Sequence, residues 1–521
     1  MSKPDPLTPR AATLAHLRHS PRLSVLIIGG GINGIGAFRD LALQGVDVLL
    51  VERGDYCSGA SAASSHMIHG GLRYLENGEF RLVREAVTER NRLLRNAPHC
   101  VRPLPTVIPI FRRFSGLLNA PLKFLRLLNR PAERGALVIK LGLLLYDAYT
   151  RDRAVPRHRF QPRRASLRRF PALNPEIRYT ATYYDALVEA PERLCLDLLA
   201  DARGESGEAW AANYLSAAGV HGDTVILRDQ LTDEEFTVSP KIVINATGPW
   251  IDLTNAGLAR PTGMIGGTKG SHLILDHPEL WEALDGHEFF FENGDGRIVL
   301  ICPLGPRVLL GTSDLPVDSP DDAACTDDEI DYFIAMTRRI FPAINVGRKH
   351  IVYRFAGVRP LPRVGAGSPR PTPGQISRDH QIIEQPPHAD RPFPVLSLVG
   401  GKWTTFRAFS EQTADRVLDY LHLPRCVSTA DRPIGSAPSG DHSAHSAGSI
   451  ARYIHAEDAV HLDDILLRRT QLAMQGALTA PLVTEIAGIM AGELGWDTET
   501  LQHELARTSE ILRTHGVELS L

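Results

Sequence analysis

Gly29, Gly31 and Gly34 stand at G-x-G-x-x-G spacing, and soon after them Ser64 to Leu75 reads SSHMIHGGLRYL, with histidine, paired glycines, arginine and tyrosine in one short run. The chemistry of the glycine group is phosphate binding. Its first member allows a tight turn, the second lets the backbone approach a pyrophosphate, and the third lets a helix pack closely on a strand. The helix that follows turns its free N–H groups toward a diphosphate. Glu52 is placed to accept hydrogen bonds from the ribose hydroxyls of an adenosine. The fingerprint by itself leaves FAD and NAD both open, because both use it.

The elements that must hold these residues are legible in the periodicity. Leu23 to Ile28 reads as a strand, Ile32 to Gln44 as a helix and Val46 to Val51 as a second strand, a βαβ unit with the glycines at its first turn. Farther along, PKIVINATGPWIDL predicts a buried strand at Ile242 to Asn245 running into a small-residue turn of Ala246, Thr247 and Gly248. FPVLSLVGGKWTTFRAF predicts another strand meeting Gly400 and Gly401, then a helix from about Thr404. A second helix N-terminus aimed at the cofactor would stabilise negative charge on a reduced flavin, which a nicotinamide does not need. Together the two turns favour a flavin.

A chain of 521 residues predicts two or three domains. Hydrophobic residues at 43%, charged residues at 22% and a net charge of -3 are those of a globular protein with no call for nucleic acid. The six cysteines, Cys57, Cys100, Cys195, Cys302, Cys325 and Cys426, show no zinc spacing and suit reduced thiols in a cytoplasm, so no metal is expected. The N-terminal stretch lacks the apolar core of a secretory signal and reads as a frayed arm. The best apolar run, ALVIKLGLLLYDAY, is short and interrupted by Lys140, so no membrane span is expected.

Taken with SSHMIHGGLRYLENGEFRLVREAVTER, these stretches resemble the FAD-dependent, respiratory glycerol-3-phosphate dehydrogenases of the D-amino-acid-oxidase-like flavoprotein superfamily. The resemblance continues in order through NATGPW, GTKGSHLIL, VLLGTSDLP, FAGVRPL, ISRDHQII and VGGKWTTFRAF, with a weaker match in LDDILLRRTQLAM. It implies oxidation of sn-glycerol 3-phosphate at C2 to dihydroxyacetone phosphate, with a hydride passing to flavin N5 and the electrons to a membrane quinone. A phosphomonoester calls for arginine forks or lysine charges, and the candidates are Arg73, Lys269, Arg359, Arg378 and Lys402, with Tyr74 adding a donor or a wall. His272 is the preferred base and His69 its competitor, while Arg359 and Lys402 would hold the C2 oxygen. Ser61 to Ser65 and the Gly70–Gly71 turn, with His69, Thr247, Gly248, Gly400, Gly401 and Thr404, would approach the cofactor. Bacterial relatives commonly carry a permanently charged residue where this chain has His66, so any contact there should be pH-sensitive. Alternatives are an oxidase of the same fold that uses oxygen, oxidation of an amine or hydroxy acid, and a flavin-bound scaffold without turnover.

The implied architecture is α/β. A Rossmann-like FAD-binding domain (about 20–80, 195–265 and 350–425) interleaves with an α+β substrate and membrane-facing part (about 81–194 and 266–349). A linker at 426–450 and a helical domain at 451–521 follow, the latter suited to docking or to a homodimer. Between Arg112 and Arg169 fifteen Lys or Arg stand against three Asp or Glu. Interleaved with Leu, Phe and Ile, they read as an interfacial stretch drawn to anionic lipid, which predicts a peripheral protein on the inner face of the cytoplasmic membrane.

Overall fold

The computed structural model describes residues 8–72, 79–113, 135–149, 154–293, 297–363, 379–435 and 445–521. Arg22–Ile28 is a strand whose aliphatic residues are buried on both faces, as a central parallel strand requires. Val48–Val51 and Glu235–Asn245 flank it in parallel. Ala209–Ala212 extends one side and Val395–Val399 the other, and Gln381–Gln385 closes the outer edge antiparallel. The crossover helix Ile32–Leu43 is buried along its length except at Asn33. It can be so apolar because it lies between this sheet and two further helices, Pro191–Glu205 and Phe406–Leu421.

The second sheet has ten strands and is mostly antiparallel. Thr268–Leu275 pairs with Arg307–Gly311 on one side and with Ile351–Arg359 on the other. From Arg307–Gly311 the sheet continues through Ile298–Leu304, Glu288–Glu292, Val101–Ile110 and Tyr179–Val188 to Met67–Ile68. Its register sets His272 opposite both Gly311 and Phe355, Gly311 opposite Leu300, and Leu300 opposite Phe290. Opposed residues share a face, so with the period of two this face carries Tyr353, Phe355, Gly357, Arg359, His272, Leu300, Phe290 and Glu288. Leu273, Leu275, Val299, Ile301 and Leu310 go to the other face, where Phe333 of the helix Asp327–Ile340 covers them. That helix starts at a capping box formed by Thr326 and Glu329.

Four segments differ from the expected reading. Ile351–Arg359 belongs to the second sheet rather than to the nucleotide segments, as does Met67–Ile68, because strand periodicity does not say which sheet a strand joins. The N-terminal stretch is not frayed from Thr8 onward. Pro9–Leu17 is a helix capped by Thr8, with Leu14 and Leu17 buried, Thr13 Oγ1 donating to the Ala211 carbonyl at 3.0 Å and Arg10 paired with Asp229 at 2.6 Å. The segment after the helix Phe406–Leu421 is a strap rather than a loose loop as far as Gly435. Arg425 pairs with Asp40, the Pro433 carbonyl accepts from Arg39, and Ile434 is buried; residues 436–444 lie outside the described ones.

The C-terminal helices Ala447–Glu457, Ala480–Leu494 and Thr498–Thr514 bury Ile450, Ile454, Val483, Ile486 and Met490 against Leu104, Ile274 and Leu309 of the second sheet. A buried charge cluster ties them to the nucleotide domain: Asp55 accepts from Arg469 at 2.5 and 2.9 Å and from Arg468 at 2.5 Å. Burial alone would raise the Asp55 carboxyl, but the Arg469 and Arg468 guanidinium groups hold it below the usual range.

Candidate active site

Both sheets and the C-terminal helices open onto one large cavity of about 1750 Å³. On the nucleotide side it is lined by the glycine turn, Glu52, the Ser58–Ser65 loop, Thr247, Gly248 and the Gly400–Thr404 turn. On the other side stand His272, Phe355, Gly357 and Arg359. Sequence-distant segments meet here because the cofactor end of one sheet faces the flat side of the other.

The fingerprint turn is tight in the way its residue types require. A Cβ at Gly34 would lie 1.9 Å from the Gly29 carbonyl oxygen, so only glycine lets the helix sit on the turn. Gly34 therefore packs and does not line the cavity. Glu52 accepts from Gly30 N at 2.6 Å and from Gly54 N at 2.9 Å. Burial pushes its carboxyl up and those two N–H groups pull it back. Ser61 Oγ accepts from Ile32 N at 3.0 Å, Asn33 donates to the Gly400 carbonyl at 3.4 Å, and Trp403 Nε1 donates to the Ser61 carbonyl at 3.0 Å. These bonds join the first and last nucleotide turns around one space. Gly400 and Gly401 have φ of +79° and +91°, conformations that leave the backbone free to turn Lys402 toward the cavity it lines.

On the facing sheet, His272 Nε2 bonds to Ser65 Oγ at 2.8 Å and the ring stacks on Phe355 at 4.8 Å. Its Nδ1 is buried with no hydrogen-bond partner among the described residues. Burial first, then the Arg359 charge and His66, hold the imidazole well below 6.5, so it is neutral at physiological pH. A neutral ring that donates one N–H keeps the other nitrogen as a proton acceptor. Arg359 lies over Gly270, its Nη2 donating to Thr312 Oγ1 at 2.8 Å and to the Ser313 carbonyl at 3.1 Å, with Asp314 at 3.3 Å from Nη1.

The other residues singled out in the sequence are placed differently from one another. His69, Gly71 and Thr404 line the cavity, and His69 and Thr404 are bonded to each other through backbone and hydroxyl. Lys269 turns away: it pairs with Glu329 at 2.9 Å, nine-tenths buried, because the capping box of the neighbouring helix puts a carboxylate beside it. Gly70 packs under the turn. Arg73, Tyr74 and Arg378 lie outside the described residues. His66, for which a pH-sensitive contact was expected, is fully buried beneath the cavity wall, and its Nδ1–H donates to the Val188 carbonyl at 3.1 Å. Burial lowers it to about 4, so it carries no charge near neutrality.

Sequence reasoning missed Asn33, Trp403, Asp185, Tyr183, Glu288 and Phe355, all on the cavity wall. Phe355 was findable, since Phe355, Gly357 and Arg359 alternate along one strand. Glu288 is fully buried, accepts from Thr106 Oγ1 at 2.8 Å and is pushed up to about 8 by burial. The cavity suits an FAD on three observations: a glycine cradle a Cβ would fill, the Glu52 carboxylate lining the cavity at the end of the second strand, and a buried Asn33 Oδ1 with no partner among the described residues.

The chain matches the family model described as FAD dependent oxidoreductase over residues 24–380, and that of the C-terminal domain of alpha-glycerophosphate oxidase over residues 419–501. It is 37% identical to a glycerol-3-phosphate dehydrogenase of Synechocystis sp. over 435 residues, 79% of this chain and 73% of that protein. It is 32% identical to a D-erythritol 1-phosphate dehydrogenase of Brucella abortus over 75% of this chain and 73% of that one. The fold is similar to the crystal structure of a glycerol-3-phosphate dehydrogenase from Bacillus halodurans complexed with FAD, with a TM-score of 0.73, 20% identity and 98% of both chains covered.

Proposed function

Because the chain belongs to the family of FAD-dependent oxidoreductases, we propose that it oxidises sn-glycerol 3-phosphate at C2 to dihydroxyacetone phosphate and passes the electrons to a membrane quinone. The observation that carries this reading is the neutral His272 held between Ser65 and Phe355, next to Arg359, across the cavity from the nucleotide turns. FAD, when bound, supplies the acceptor for the C2 hydride. The chain's own residues do the rest. His272 takes the C2 hydroxyl proton, and Arg359 and Lys402 stabilise the developing alkoxide and the phosphate. Thr312, Ser313 and Asp314 fix the Arg359 fork in position. Gly29, Gly31, Glu52, Ser61, Thr247, Gly248 and Gly401 hold the cofactor.

Attachment to the cytoplasmic membrane face is part of the proposal. The helix Ala136–Tyr149 buries Ile139, Leu143 and Tyr146, while Leu137, Leu141, Leu144 and Leu145 are 41–61% exposed along one stripe. Arg112, whose carbonyl accepts from Ala136 N, shares a surface hollow with Arg163, Arg178 and Arg339, as an anionic lipid face would attract. Among the described residues no helix is long and apolar enough to cross a membrane. Lys123, Arg126, Arg130 and Arg134 of the same basic stretch lie outside the described residues.

Steady-state turnover of the holoenzyme with sn-glycerol 3-phosphate, D-erythritol phosphate and a short-chain quinone tests the assignment. The highest kcat/KM is expected for the three-carbon ester with quinone; preference for the four-carbon ester would overturn the substrate. The match of residues 419–501 to an oxidase domain supports a second reading, in which oxygen is the acceptor and peroxide forms at the rate of substrate loss.

A further inference from the structure

One carboxylate on the cavity wall has no part in the reaction above, yet it is the meeting point of three elements. Asp185, on the strand Tyr179–Val188, is buried and lines the cavity. Its Oδ1 accepts from Gly70 N at 2.8 Å, from the Tyr146 hydroxyl at 2.5 Å and from Arg90 Nη1 at 3.3 Å. Arg90, itself fully buried, also donates to the Tyr146 oxygen at 2.7 Å and to the Tyr184 carbonyl at 2.8 Å. The contact with Gly70 is close: a Cβ there would meet the Tyr146 hydroxyl at 2.1 Å.

The turn so held is the one that reaches the cofactor space. His69 and Gly71 line the cavity, and His69 is clasped by Thr404 at 3.1 and 3.2 Å. The turn is thus fixed by Thr404 at His69 and by Asp185 at Gly70. Tyr146 sits on the inner face of Ala136–Tyr149, back to back with the exposed Leu141, Leu144 and Leu145. A rigid helix cannot move its outer face without moving this hydroxyl.

We propose that Asp185 is a positioning residue for the cofactor site and that Tyr146 ties it to the leucine-faced helix, so that the seating of that helix sets the placement of the His69–Gly71 turn. The inference rests on the flavin reading but not on the identity of the substrate or on lipid binding. A short O–H to carboxylate bond is directional, and loss of the hydroxyl leaves Asp185 to reorient toward Arg90. The turn then loses the clasp at Gly70.

The test uses purified holoenzyme and two variants. Tyr146→Phe keeps the ring packing against Tyr183 and removes one hydroxyl; Asp185→Asn keeps an acceptor for Gly70 N–H and removes the charge facing Arg90. Visible-region circular dichroism of the bound flavin reads the turn without substrate, and thermal melting reads the fold. The expected result is a changed flavin dichroism in both variants and a fall of about tenfold in kcat with KM held within about twofold, while Tyr179→Phe, outside the cluster, behaves as wild type. Should Asp185→Asn fail to fold, Tyr146→Phe decides alone. Wild-type dichroism and kcat in Tyr146→Phe would overturn the inference, and so would a lowered melting temperature with unchanged dichroism, which is a merely structural role. A wild-type protein without any flavin band would instead strike the cofactor reading itself.

Discussion

The role proposed for His272 as the base depends on surroundings that keep it neutral. Burial and the Arg359 charge hold it well below 6.5, so kcat/KM should be level through neutral pH and fall only on an acidic limb well below 6.5. His272→Gln should lower the rate of anaerobic flavin reduction by about 10²–10⁴-fold while flavin stays bound, read by stopped-flow absorbance. Glu288 gives a separate pH signature. Its folded pKa of about 8 exceeds the 4.5 of an exposed glutamate, so the native state holds a proton that the unfolded chain releases. Stability on this account falls as pH rises from about 4.5 to about 8, and Glu288→Gln should melt a few degrees above wild type near pH 8.5 but not near pH 5. Lys269 is expected to matter for folding rather than for substrate: Lys269→Met leaves Glu329 buried without its ammonium, costing about 3 kcal/mol in a denaturant melt with KM unchanged. The types of these residues were legible in the sequence and their pairings were not. Nothing in GTKGSH says that Lys269 meets a helix cap while His272, three residues on, turns to the opposite face.

At the level of elements, the βαβ unit and the two later strand-to-turn junctions were readable, because each couples an apolar strand to glycines that the backbone path requires. The second sheet was harder to divide. Ile351–Arg359 and Met67–Ile68 join it through long-range pairing, which leaves no local mark beyond alternation. The docked N-terminal helix and the strap at 425–435 were missed for the same reason, since contacts between sequence-distant residues, Arg10–Asp229 and Arg425–Asp40 among them, anchor them. The helical C-terminal segment was expected to dock, and its docking brings Arg468 to the cavity wall, where it shares Asp55 with Arg469. Asp55→Ala should cost about 3 kcal/mol by removing the carboxylate that two buried guanidinium groups share, visible as an earlier unfolding midpoint together with loss of flavin. Because the folded pKa of Asp55 is depressed, its stabilisation is present above the unfolded carboxylate range and disappears as pH falls through the folded value.

On the scale of the whole molecule, one cavity lies between a nucleotide sheet and a substrate sheet, with a leucine stripe on an outer helix a single residue layer from its wall. Burying Leu141 and Leu144 in lipid is worth about 1.5–3 kcal/mol each, so the double Leu→Ser variant should co-sediment with phosphatidylglycerol vesicles at least tenfold more weakly. Equal binding of variant and wild type would remove that helix from the membrane account. The central claim concerns the cavity itself, and an anaerobic absorption spectrum of the holoenzyme before and after sn-glycerol 3-phosphate tests it most directly, with glycerol and a simple amino acid as controls. Bleaching of the oxidised-flavin band by the phosphate ester alone is the predicted result. A band that persists in the presence of the ester would contradict the substrate assignment and the roles given to His272 and Arg359.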